Sequence, residues 1–173
     1  DATFGGGGHS KAILKNIING KLIAFDQDQE SLKNKITTDN RFNMINSNFR
    51  NLKNELEGLG ICSIDGLIAD LGVSSYHFTD NNRGFSLQYD SVIDMRMDNR
   101  LVKTGANILN NYNLENLNRI FKEHADFKNP NRITSEIIKF REIKKIKTTF
   151  DFKSIFKDFV AKKNENKFFA RLF

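Results

Sequence analysis

Asp1-Ala-Thr-Phe-Gly-Gly-Gly-Gly-His-Ser10 opens the chain, and its reading decides the fold. Four glycines, Gly5 to Gly8, stand in front of a stretch with Ala12, Ile13, Leu14, Ile17 and Ile18 at helical spacing. That spacing predicts a helix from Ser10 to Asn19, stopped by Asn19-Gly20. A glycine-rich turn before a helix normally follows a buried strand. No strand precedes it here, so upstream sequence is expected to be missing.

Working outward, Lys21-Leu-Ile-Ala-Phe-Asp26 is a short apolar run ending in an acid, the pattern of a buried strand. A helix is expected from Gln29 to Ile36, a strand at Arg41-Phe-Asn-Met-Ile-Asn46, a short helix from Leu52 to Leu59, and another buried strand at Ile64-Asp-Gly-Leu-Ile-Ala-Asp70. Strands alternating with helices predict an α/β fold, a parallel sheet with helices on both faces. The character changes after Val73. Residues 74–105 are polar and irregular, and helices are expected at 107–123, 132–146 and from Thr148 to about Val160, with the single proline, Pro130, as a break.

The glycines and the acids converge on one chemistry. Glycine lets backbone approach a ligand closely, and the helix N-terminus behind it favours negative charge. Such a turn suits a dinucleotide pyrophosphate or the amino-acid end of S-adenosylmethionine. It also suits a purely structural role. The dinucleotide fingerprint G-x-G-x-x-G/A, started at Gly5 and Gly7, places Ser10 at its third position and does not fit. Asp26 closes its strand 18 residues after Gly8, the spacing of a carboxylate that accepts hydrogen bonds from ribose hydroxyls. Asp28 reads as the cap of the next helix. Asp70 ends a strand as Asp26 does, and ligands of open α/β sheets bind beyond the carboxyl ends of strands.

Composition sets outer limits. The 173 residues suffice for one domain or for one domain with a large insertion, with a core rich in Phe (16 residues). Residues 110–173 hold 15 Lys and Arg against 8 Asp and Glu, whereas residues 1–109 hold 12 against 13. The basic back half fits an acidic partner, nucleic acid first, or a solvated lysine face. A single cysteine, Cys62, excludes an internal disulfide and is expected to pack inertly. No Cys/His cluster points to a metal. No signal peptide or run of transmembrane length is visible, so a soluble cytoplasmic protein is expected.

Asp1-Ala-Thr-Phe-Gly5, Gly7-Gly-His9-Ser10, Phe25-Asp26-Gln-Asp28, Asn48-Phe49, Asp65-Gly66, Asp70-Leu-Gly-Val-Ser-Ser75, Arg83-Gly-Phe-Ser86 and Asp94-Met-Arg-Met-Asp98, in this order, resemble one family. It is the small-subunit ribosomal RNA cytosine-N4-methyltransferase family (RsmH, also called MraW). The resemblance is dense to residue 98 and thinner beyond. It implies a class I S-adenosylmethionine-dependent methyltransferase sheet, Rossmann-like and here partial, with a mainly helical domain inserted after the fourth strand. The implied organisation is residues 1–75 for the first part of the methyltransferase domain, 76–162 for the insertion and 163–173 for the start of a truncated return.

The resemblance also implies S-adenosylmethionine as donor, and a cytosine of the P-site region of the small ribosomal subunit's 16S RNA as target. Cofactor contacts carry over to Gly7, Gly8, His9, Asp26, Phe49 and Asp70, and to His77 where the family usually has Gln. By analogy with other amino-methyltransferases, Asp70 with Ser74 or Ser75 is the catalytic candidate. A flipped base has to be covered, and the loop from Tyr76 to Asp98, with Arg83, Phe85, Arg96 and Met97, is a candidate for that task or for packing on the insertion. Lys139, Arg141, Lys144, Lys145 and Lys147 form a candidate phosphate footprint. The competing functions are a non-catalytic RNA-binding fragment and, against the glycine spacing, a dinucleotide-dependent oxidoreductase.

Overall fold

The computed structural model describes every residue but Ala161, and every side chain but those of Ala161, Ser75 and Tyr76. Its contacts divide the chain into two units. The first is Asp1–Ser74 with Met97–Arg100, and the second is Ser75–Arg96 with Leu101–Phe173.

In the first unit, β1 (Leu22–Phe25) and β2 (Phe42–Ile45) pair in parallel, Leu22 opposite Phe42 and Phe25 opposite Ile45. β1 is an apolar run largely buried along its length, whereas β2 buries Phe42 and Met44 and leaves Asn43 exposed. Helix α1 (Gly8–Asn16) precedes them, and α2 (Leu52–Gly58) follows. Phe4, Leu14, Leu22, Ala24, Phe42 and Met44 make the core between α1 and the strands. Residues 1–4 run beside β1 as a strand would: Phe25 N–H donates to Asp1 O at 2.8 Å and Phe4 N–H to Phe25 O at 2.9 Å. The far end of α1 is held by Arg41, whose guanidinium donates to Ile17 O at 2.6 Å and Leu14 O at 2.9 Å while Asp39 takes its other side.

Three expectations are corrected in this unit. The helix expected at Gln29–Ile36 is a 3-10 turn, Gln29–Asn34. Residues 64–70 form no strand, and Ile64 and Leu67 are 49% and 61% exposed. Their pairing amounts to Ala2 N–H to Ile68 O at 2.8 Å and Asp70 N–H to Thr3 Oγ1 at 2.7 Å, too little for a ladder. Cys62 is exposed rather than packed.

The second unit is helical: α3 (Ser75–Thr79), α4 (Gly105–Asn111), α5 (Leu114–Glu123), α6 (Asn131–Ile143), α7 (Thr149–Ile155) and α8 (Glu165–Leu172). The single helix expected at 107–123 breaks in two, because Asn113 caps α5 by accepting Asn116 N–H at 2.9 Å. Thr148 starts α7 with a reciprocal box, accepting Asp151 N–H while Asp151 accepts Thr148 N–H, each at 3.2 Å. The phenylalanines meet edge to face: Phe121 with Phe127, Phe127 with Phe168, Phe168 with Phe156, and Phe156 with Phe152, centroids 5.5–6.4 Å apart. Around them lie Ile93, Leu109, Leu117, Ile133, Ile137 and Ile146. Residues 163–173, expected to begin a return to the first domain, place Phe169 and Leu172 in this core.

Candidate functional site

The site is assembled at the carboxyl ends of β1 and β2. Gly7 adopts φ +77°, and a Cβ there would lie 2.8 Å from the Phe4 ring, so only glycine fits. Gly7 is also the N-cap of α1, makes no side-chain cap, and no acid stands in the first turn. The orphan N–H groups of that turn, those of Gly8 and His9 among them, are therefore left for an anionic group. His9 is exposed on the same turn.

Asp26 follows β1 directly. Its carboxylate accepts Gly5 N–H at 2.7 Å on one oxygen and Asp28 N–H at 2.9 Å on the other. Each oxygen keeps further acceptor capacity, since an ionised carboxylate offers about four lone-pair sites. Asp28 caps the 3-10 turn as expected, accepting Glu30 N–H at 3.1 Å. Beyond β2, Asn46 donates to Asp26 O at 2.8 Å, which ties the two strand ends together. Asn48 caps the turn that begins at Phe49, and it donates to Gln27 Oε1 at 2.5 Å. Phe49 thereby stands beside the Asp26 segment with 43% of its surface open.

Asp70 reaches the same edge through Thr3, and an ideal Cβ on Gly72 would lie 3.5 Å from its Oδ1. Ser74 Cβ comes within 3.8 Å of the ideal Cβ position of Gly5. The glycine loop, Asp26, Phe49, Asp70 and Ser74 thus belong to one unit and gather around its strand ends. The side chain of Ser75 lies outside the described residues. His77 belongs to the second unit, where it is buried and its ring stands 5.1 Å from that of Phe85.

Sequence reasoning missed the supports of this edge. Ser10 Oγ donates to the buried Asp1 carboxylate at 2.7 Å, which fastens α1 to residues 1–4, and Thr3 carries Asp70. The only signal was their position inside the opening motif.

In the second unit the two motifs around residues 83 and 94 lock together. Met95 N–H donates to Arg83 O at 2.8 Å, and Arg83 Nη2 to Arg96 O at 2.6 Å. Gly84, at φ +73°, lies so close to Val92 O that a Cβ would stand 2.4 Å from it. Arg96 holds Asp94 by two bonds, 2.8 and 2.6 Å, and its guanidinium keeps the Asp94 carboxyl below the usual carboxylate range. Arg83 is 4% exposed. Both arginines, expected on RNA, are engaged in holding this loop. Lys139 and Arg141 of α6, and Lys144 just beyond it, are engaged as well. Lys139 donates to Glu136 at 2.8 Å, Lys144 to Asp151 at 2.6 Å, and Arg141 to Leu109 O and Tyr112 O at 2.9 and 2.6 Å. Lys145 is exposed.

A glycine turn opening onto a bare helix end, with a strand-end carboxylate beside it on a parallel α/β edge, is a Rossmann-like arrangement, and the family match makes it the class I S-adenosylmethionine-dependent methyltransferase fold. The sequence profile of the MraW methylase family matches residues 1–173, and the chain belongs to that family. It is 46% identical to the ribosomal RNA small subunit methyltransferase H of Parabacteroides distasonis, over all of this chain and 57% of that protein. It is 44% and 42% identical to the proteins of the same name from Phocaeicola vulgatus and Flavobacterium johnsoniae, with the same coverage. The chain therefore spans little more than half the length of the curated relatives it matches.

Proposed function

We propose that the protein containing this chain methylates the N4 amine of a cytosine in the P-site region of small-subunit ribosomal RNA, with S-adenosylmethionine as donor. The observation that carries this reading is the pairing of Asp26 with the glycine loop at the bare end of α1. Membership of the methylase family and the names of the relatives support it.

The residues present fit such a donor. The remaining lone pairs of Asp26 suit the two ribose hydroxyls, the first turn of α1 at Gly7, Gly8 and His9 suits a carboxylate, and the open ring of Phe49 suits an adenine face. Once bound, the donor supplies an electrophilic methyl on a sulfonium. The chain's own task is to orient a weak nucleophile, because the N4 lone pair is delocalised into the cytosine ring. Asp70 and Ser74, with Ser75 by analogy, offer oxygens that accept the amine's N–H groups and hold it in line. His77 stands as a further cofactor contact in this reading. In the second unit, Phe85 and the loop that Arg83 and Arg96 hold serve to cover the base, and Lys139, Arg141, Lys144 and Lys145 remain proposed RNA contacts, of which Lys145 is the best placed by its exposure.

Calorimetric titration with S-adenosylmethionine, and with NAD in parallel, tests the donor site. Binding of the first alone, abolished by Asp26→Ala, is the expected result. Binding of NAD instead would overturn the reading. Transfer of labelled methyl to small ribosomal subunits, followed by nucleoside analysis for N4-methylcytidine, tests the target.

A further inference from the structure

The second unit also carries open basic charge away from residues 139–145. Between α7 and α8, Lys157 and Lys162 line an open cavity of about 570 Å³ together with Phe159 and Val160. Neither lysine forms an ion pair among the described residues, and both are exposed. The exposed Arg132, from α6, lays its guanidinium 4.2 Å above the centroid of the Phe159 ring. Of the two acids in the cavity wall, Glu165 faces Lys153 at 3.6 Å, which leaves Asp158 as the acid opposing three cations.

We propose that this cavity docks a single-stranded stretch of RNA, with Lys157 and Lys162 on successive phosphates and Arg132 stacked under a base. The proposal rests on the reading that the protein acts on ribosomal RNA. Three features select RNA. The net charge is positive. The cationic plane of Arg132 is backed by an aromatic ring, the platform on which an unpaired base stacks. The half-buried Phe159 and Val160 leave little apolar surface to enter a lipid layer.

The test is fluorescence anisotropy of a short single-stranded RNA on the intact protein over a range of salt. Variants are Lys157→Glu with Lys162→Glu, Arg132→Lys, and, as a control, Lys53→Gln on the exposed face of α2 in the first unit. The double reversal is expected to weaken binding by roughly tenfold or more and to flatten the log–log salt slope by about 1.4, since each phosphate on a single strand contributes ~0.7. Arg132→Lys keeps the charge but loses the plane, so it should weaken RNA several-fold and leave heparin binding unchanged. Lys53→Gln should change neither. Unaltered RNA affinity in the double reversal overturns the proposal, as does tight binding to phosphatidylglycerol vesicles without binding to RNA. Equal loss of RNA and heparin affinity in Arg132→Lys overturns the stacking role. Calorimetry with S-adenosylmethionine on the same preparations separates the two readings: a protein that binds no donor fails the methyltransferase reading, whereas one that binds donor and keeps RNA affinity after reversal fails this surface alone.

Discussion

The Asp26 carboxylate accepts the Gly5 backbone N–H at 2.7 Å, so the acid ending one strand sets the entrance of the glycine loop that leaves its neighbour. One group therefore shapes the loop and, in the proposed function, holds the ribose. Asp26→Asn keeps the volume and removes the charge. Hydrogen bonds to a charged partner contribute about 1.5–3 kcal/mol, so affinity for S-adenosylmethionine should fall by about tenfold to a hundredfold. Calorimetry reads this directly, and an unchanged affinity would take Asp26 out of the site.

Gly7 and Gly8 should respond oppositely to alanine. At Gly7 the backbone is left-handed and the new Cβ would meet Phe4, so Gly7→Ala should cost upwards of ~1–2 kcal/mol. Gly8 lies inside α1 with nothing within 4 Å of its Cβ position, so Gly8→Ala should leave stability level or raise it by up to about 1 kcal/mol. Urea unfolding of the two variants checks the order.

Asp39 makes a pH prediction. Hydrogen bonds from the Arg41 side chain, then from its backbone N–H, hold the carboxyl at about 2 instead of 3.8. A depressed folded value stabilises above the unfolded pKa and ceases to do so as pH falls through the folded one. The contribution should thus be complete above roughly pH 4 and fade towards pH 2. Carbon-detected titration of the Asp39 carboxyl should show the low midpoint, and Arg41→Gln should return it towards 3.8.

Arg141 ties the end of α4 to α6 through two carbonyls, Leu109 O and Tyr112 O. Both bonds leave one nitrogen, Nη1, whose two N–H groups are fixed in the guanidinium plane, whereas a lysine ammonium sits on a shorter, flexible stem and must be ordered to reach the same carbonyls. Arg141→Lys should lower stability by about 1–3 kcal/mol while leaving the salt dependence of RNA binding where it was. Thermal unfolding and anisotropy together test both halves of that statement.

How much of this was legible depended on where the deciding partner lay. β1, β2, the Asp28 cap and the Thr148 cap are written within a few residues of themselves, and period, strand-end acids and capping residues announce them. Residues 64–70 carry an apolar run as good as that of β1, but a strand exists only through its neighbours, and this one meets just Ala2 and Thr3. The break between α4 and α5 is made by an asparagine, a residue tolerated in a helix and equally able to cap one. Arg141 of α6 and Lys144 beyond it look like part of a free basic stripe until Leu109, Tyr112 and Asp151 arrive from other elements. At the site, motif spacing pointed to Gly7, Asp26, Phe49 and Asp70, while the supports Thr3, Ser10 and Asn46 depend on contacts that spacing does not encode.

The Arg41 guanidinium that closes the tail of α1 is itself neutralised by Asp39. The helix tail thus gains its hydrogen bonds without gaining net charge, and the open end at Gly7 attracts an anion through its own N–H groups over a few ångströms. Counter-ions act weakly on such short-range contacts and strongly on separated surface charges. Ionic strength accordingly becomes a dial that addresses the two units separately: salt high enough to strip a polyanion from the lysine-rich unit should leave whatever sits at the head of α1 nearly undisturbed.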